Sequence, residues 1–252
     1  MPDKRNALVN TALLGLLVLA TIISLATGTV QVSLFDTLRA LAGNADPITD
    51  FVINELRLSR VIAGLLSGAA LAMAGCLMQT LARNRLATPG IIGIDNAATA
   101  FAVASVVGVG LSLAPSAMSL AGAAAATAIA FGLAGANGTR GYRFIVAGIG
   151  IGAIAGAVTQ VMLSRVAIDA ANAAYPWTVG SLNARSGQSV LVLGMGLAAG
   201  YLVLMSLSRA LNTLQFTDAV AIALGTRLKA TRIIGLGLSV MLTGLAVSVC
   251  GP

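Results

Sequence analysis

Charge-free apolar runs of about 20 residues recur along this chain, and they leave few folds open to it. A helix needs about 20 apolar residues, at 1.5 Å each, to cross about 30 Å of hydrocarbon. Such runs occupy residues 7–27, 61–82, 144–164, 186–208 and 233–252. The stretch 96–139 carries no charge and is long enough for two crossings, divided at Ala114-Pro115-Ser116 because proline interrupts helices. Seven spans are therefore expected. Composition agrees: 58% of residues are hydrophobic and 9% charged, with a mean hydropathy of +0.95. A soluble domain carries roughly 25% charged residues, because its surface faces water. The expected fold is an all-α, polytopic transmembrane helical bundle, with lipid as its partner on most faces. The charged start, Lys4 and Arg5, followed by a spanning run with no clear cleavage motif, reads as a retained first helix.

The net charge of +7 does not indicate nucleic acid. Basic residues punctuate the apolar runs instead of clustering with aromatics in a groove. They set topology. With the N-terminus inside, the inner segments hold Lys4, Arg5, Arg83, Arg85, Arg140, Arg143, Arg209, Arg227, Lys229 and Arg232. The outer segments hold Arg39, Arg57, Arg60, Arg165 and Arg185. Ten against five favours a cytoplasmic N-terminus.

Small residues fill the spans. Gly64, Gly68 and Gly75 on the second, and Gly148, Gly152 and Gly156 on the fifth, are spaced to let helix backbones approach closely in lipid. Chemistry is sparse. The chain has no histidine, and its two cysteines lie inside apolar runs, so no metal site, cofactor site or Ser–His pairing is expected. It has no G-x-x-x-x-G-K-S/T loop to cradle phosphate. No charge lies within a span, which argues against a proton relay. A pore, a scaffold, or a permease driven by a partner remain.

The inner connection 209–232 bears on that choice. Thr217 or Asp218 can cap a helix start, Ala219 to Leu224 can carry it, and Gly225 can end it in a left-handed cap. The resulting short helix exposes apolar residues, which either a cytoplasmic partner or the lipid interface can cover. The outer connections 28–60 and 166–185 are long, and the second holds Tyr175-Pro176-Trp177, whose aromatics suit an interfacial anchor or a re-entrant piece.

Four ordered motifs run over essentially the whole chain. Arg57-Leu58-Ser59-Arg60 leads into Gly68-Ala69-Ala70-Leu71-Ala72, Gly75 and Gln79. Arg83-Asn84-Arg85-Leu86-Ala87-Thr88-Pro89-Gly90 is followed by Ile92-Gly93-Ile94. Trp177-Thr178-Val179-Gly180-Ser181-Leu182 comes next, and Asp218 with Ala221, Leu224 and Gly225 closes the series. Together they resemble the FecCD-like (BtuC-like) permease subunits of iron–siderophore and vitamin B12 ABC importers. That family shows R-L-P-R at the first, N-P-L-A-x-P at the second with a proline where Arg85 stands, W-x-x-G-S at the third and a cytoplasmic A-x-x-L-G segment at the fourth.

The resemblance implies a permease subunit in the cytoplasmic membrane, itself no enzyme, paired with an identical or different second permease. A separate cytoplasmic ATPase subunit would couple through Asp218, Ala221, Leu224 and Gly225. An extracytoplasmic binding protein would dock acidic residues on Arg57 and Arg60 and deliver a ferric siderophore. Gly148, Gly152, Gly156 and Gln160 would face the translocation path. Corrinoid or haem import is the near alternative, and a membrane scaffold or non-transporting remnant the distant one. The family has ten helices, whereas this chain stops at Gly251-Pro252 within a motif that continues G-P-I-G-F-x-G-L. Residues 1–252 are thus expected to form a single permease domain, incomplete at its C-terminus and lacking the eighth to tenth helices.

Overall fold

The computed structural model describes residues 4–28, 30–109, 113–134, 142–183 and 187–251. Among these residues every regular element is helical. Arg140, Arg185 and Pro252, which entered the sequence reading, lie outside the described residues. The chain forms two compact units, Met1–Gly64 and Leu65–Pro252.

The first unit opens with α1 (Lys4–Ala26). Two short helices follow, each started by a side chain that accepts an orphan amide of the first turn. Ser33 caps α2 (Leu34–Leu41) by accepting from the Asp36 amide at 3.1 Å. Asp46 caps α3 (Pro47–Asp50) by accepting from the Thr49 amide at 3.1 Å, and Pro47 presets the first helical φ. A π-helix, Phe51–Leu58, then passes directly into α4 (Ser59–Ala82). Helical structure therefore runs unbroken from Pro47 to Ala82, 36 residues. That is about 54 Å, well over the 30 Å or so of hydrocarbon. The sequence reading began this helix at residue 61; the polar residues Asp50, Asn54, Glu55 and Arg57 occupy the excess length.

The second unit takes up α4 from Leu65. Its loop leads through a 3₁₀ turn (Pro89–Ile92) to α5 (Ile94–Val106), followed by α6 (Pro115–Ala134) and α7 (Tyr142–Arg165). Short helices α8 (Ile168–Ala174) and α9 (Pro176–Val179) precede α10 (Gly187–Thr213), α11 (Asp218–Ala223) and α12 (Leu228–Cys250). At the centre lies α12, with 72% of its most apolar window buried. It packs on α5, α6 and α10, and its Ser239 hydroxyl donates to the Ala74 carbonyl of α4 at 3.0 Å. Leu236, Val240 and Val247 share a core with Met78, Ala87, Ile94, Ala98, Ala123 and Ala130.

Six of the described helices are long and apolar enough to cross a membrane. The expected third span is shorter: α5 has 13 residues, about 20 Å. The expected packing role of Gly68 and Gly75 is not seen among the described residues. A Cβ on either would meet no atom within 4 Å. The buried face of α4 in this unit runs instead through Ser67, Ala70, Ala74, Leu77 and Met78.

Candidate functional sites

Arg57 sits near the end of the π-helix, where its side chain turns back on α1. It donates to the carbonyls of Leu25 at 2.7 Å and Ala26 at 3.0 Å, and also to that of Val30. The last carbonyls of a helix lack intrahelical partners and carry the negative end of its dipole, so a guanidinium satisfies both hydrogen bonding and charge. Arg60, exposed, lines the same cleft of about 270 Å³, along with Ser24, Thr27, Val52 and Leu56. The two arginines read from the sequence thus share one cleft. Arg57 is engaged there by backbone oxygens.

In the second unit α11 takes the form read from the sequence. Gly225 has φ +83, its amide donates to the Ile222 carbonyl at 2.8 Å, and the Thr226 amide donates to the Ala221 carbonyl at 3.0 Å. This is a Schellman closure, which requires the left-handed region that glycine enters without penalty. Thr217 takes the N-cap position, but its side chain makes no capping bond. Ala221 is fully buried, whereas Val220, Ile222 and Leu224 are exposed, as is Phe216 just before the helix.

The Asp218 carboxylate serves two arginines. Its Oδ1 accepts from Arg83 Nη2 and from Arg232 Nη2, each at 2.9 Å. The Arg232 side chain is 10% exposed and that of Arg83 is 40% exposed. The hydrogen bond from Arg232, followed by the charges of Arg232 and Arg83, holds the Asp218 carboxyl below its ordinary value of 3.8. Arg83 also donates from Nε to the Leu214 carbonyl and from Nη2 to the Phe216 carbonyl, both at 2.7 Å. It closes α4 in the left-handed region, at φ 51.

The glycines of α7 divide by environment. Gly148 and Gly152 are buried against the start of α5. A Cβ on Gly93, itself at φ +69, would lie 2.4 Å from the Gly148 oxygen and 2.5 Å from the Gly152 nitrogen. Gly156 has open space around its Cα, and Gln160 is exposed. The drift of about 40° per four residues in a 3.6-residue helix turns the later pair off the packed face.

The W-x-x-G-S segment meets the end of α12. The Ser181 amide donates to the Cys250 carbonyl, and a Cβ on Gly251 would lie 2.8 Å from the Gly180 Cα. The connection after α7 packs back on α5 through α8 and α9.

Sequence reasoning placed Arg83 in a motif and both Arg83 and Arg232 among the topology charges, and it missed their convergence on Asp218. Separations of 135 and 14 residues carry no local signal. Gly93 and the Gly180–Gly251 contact were visible as motif glycines, but not as partners.

Long apolar helices around a buried α12, joined by short polar-ended helices, define a polytopic helical membrane protein. The profile of the FecCD transport family matches residues 16–252, and the chain belongs to that family. It is 37% identical to the ferric enterobactin transport system permease protein FepD of Escherichia coli, over 98% of this chain and 75% of FepD. It is 35% identical to the achromobactin transport system permease protein CbrC of Dickeya dadantii, over 92% of this chain and 68% of CbrC. A solved structure, described as an inward-facing conformation of a metal-chelate type ABC transporter, superposes with a TM-score of 0.80 at 22% identity. That superposition covers 96% of this chain and 74% of the other, and it shows the fold. The chain is accordingly a multi-pass protein of the cytoplasmic membrane, from a family of permeases and not of enzymes.

Proposed function

We propose that this chain is the permease subunit of an ABC importer for ferric siderophores, moving the chelate across the cytoplasmic membrane with energy from a separate ATPase subunit. The observation that carries the reading is α11. It is a six-residue helix between two long apolar helices. The buried Arg232 holds its start through Asp218, and Val220, Ile222 and Leu224 are exposed. Family membership supplies the rest: FepD and CbrC serve ferric enterobactin and achromobactin transport.

In this reading residues 1–252 belong to one permease domain and the N-terminus is cytoplasmic, so α11 faces the cytosol. Leu224 and Ile222 supply the apolar contact for the ATPase, while Ala221 and Gly225 fix the helix beneath it. Arg57 and Arg60 face outward and receive acidic side chains of the binding protein. Opposite charges of this kind set encounter rate and register. A second permease, identical or different, completes the path. Gly156 and Gln160 front it on α7, and Gly148 and Gly152 hold that helix against α5.

Leu224→Asp places a charge at the centre of the apolar contact. It is expected to abolish co-purification of the ATPase subunit and to stop uptake of radio-iron supplied as ferric enterobactin or ferric achromobactin. Retention of both would overturn the assignment of α11, and labelling of an Ile222→Cys variant from outside intact cells would overturn the orientation.

A further inference from the structure

Arg83 occupies an unusual place. It is the C′ residue of α4: its amide donates to the Thr80 carbonyl at 3.3 Å, and the Asn84 amide donates to the Gln79 carbonyl at 3.1 Å. Glycine is the usual occupant of that position, because a Cβ is disfavoured at positive φ. Among the described residues Arg83 is the one non-glycine at positive φ. Its guanidinium reaches the Leu214 and Phe216 carbonyls after α10 and the Asp218 carboxylate at the start of α11.

The segment that Arg83 begins is compact. The Leu86 amide donates to Asn84 Oδ1 at 2.9 Å and the Ala87 amide to the Asn84 carbonyl at 3.1 Å. Ala87 is buried in the shared core. The 3₁₀ turn Pro89–Ile92 follows, and the Gly93 amide closes it on the Gly90 carbonyl at 2.9 Å. The segment ends at Gly93, again at positive φ, with its Cα against the backbone of α7 at Gly148 and Gly152. Two left-handed residues therefore bracket an internally bonded segment, with the α11 anchor at one end and the glycine contact to α7 at the other. Its internal bonds and the burial of Ala87 restrict how far it can deform.

Asp218 joins a buried arginine to a more exposed one. Arg232 projects from α12, the most buried long helix, and is itself nearly buried. Arg83 is more exposed and leads into the 83–93 segment. A shift of α11 against α12 is therefore passed on through the Arg83 contacts.

We propose that Arg83 is a positioning residue that transmits displacement of α11 through the 83–93 segment to the glycine face of α7. The proposal rests on the reading of α11 as the ATPase contact. It gives physical content to coupling as a contiguous bonded chain between two sites.

Arg83→Gly is the discriminating variant, because glycine keeps the left-handed cap while deleting every guanidinium contact. The intact transporter, with its ATPase, second permease and binding protein, is reconstituted in vesicles. ATP hydrolysed and ferric enterobactin or ferric achromobactin accumulated are then measured together. The ATPase subunit is expected to co-purify as in wild type and hydrolysis to stay within about twofold, while chelate moved per ATP falls by about tenfold. Arg83→Lys, which keeps the charge but not the fork, is expected to recover part of the ratio. Should the glycine variant fail to accumulate, Arg83→Asn serves, since asparagine also tolerates the left-handed region.

An unchanged ratio of chelate to ATP would overturn the proposal. Loss of the ATPase subunit from the Arg83→Gly complex would also overturn it, because Arg83 would then merely hold the docking helix. Retention of the ATPase by Leu224→Asp is a different failure, and it falls on the assignment of α11 itself.

Discussion

Two arginines flank α4 in sequence, and each satisfies the carbonyls at the end of another helix, yet the two corners differ in kind. Arg57 donates to the Leu25, Ala26 and Val30 carbonyls, all of them backbone. Arg83 donates to the Leu214 and Phe216 carbonyls and adds the Asp218 carboxylate, which it shares with Arg232. The first corner is a helix cap built on uncharged acceptors. The second is a three-charge junction whose anion belongs to a short helix with an exposed apolar face. A guanidinium does the same chemistry in both places. What differs is whether its acceptor can be moved by something outside the chain.

Substitutions can break that contrast in descending order of effect. Asp218→Ala removes the shared anion and leaves Arg232 buried beside a second cation, and unpaired buried charge is the costly case. It is expected to give the largest fall in melting temperature and to cut uptake by about tenfold or more. A melting temperature equal to wild type would show that the junction is not structural. Arg57→Ala removes a charge from the negative end of α1, worth about 1 kcal/mol at most at a partly exposed site. A drop in melting temperature of about 2–4 °C should follow, with the ATPase subunit still co-purifying. Loss of the ATPase subunit from this variant would erase the distinction between the corners.

Acid is the mildest probe. Because the folded Asp218 carboxyl lies below its ordinary 3.8, its contribution is fully present above that pH and is lost as pH falls through the lower folded value. The backbone carbonyls that serve as acceptors at the other corner do not titrate. Coupling should be flat between about pH 5 and 8 and weaken only below about pH 4. A transition near neutrality would point to a different group.

The helices themselves were written plainly in the chain. The runs at 7–27, 144–164, 186–208 and 233–252 became α1, α7, α10 and α12, with ends shifted by a few residues. Their ends shifted most where polar residues continue a helix beyond the hydrocarbon, as Arg209 does inside α10. Hydropathy reports where a chain can meet lipid; it does not report where a helix stops. The α11 cap was equally legible, since Gly225 is a local signal for a local bond. The second-helix glycines misled, because small-residue spacing shows that a close approach is possible without saying which face has a neighbour. On α7 the same spacing held a real contact at Gly148 and Gly152 and then rotated away from it by Gly156.

By itself, the sequence determined what depends on neighbours along the chain: solvent preference, helix content, caps and the motifs that place it in its family. Only tertiary structure decided which distant groups share an oxygen, which glycines touch backbone, and that α12 is buried while α1 is not. The reason is physical. Transfer to lipid and helix closure are settled within a few turns of one segment. The Arg83–Asp218–Arg232 junction and the Gly93 contact need segments up to 135 residues apart brought into direct contact, which no local pattern encodes.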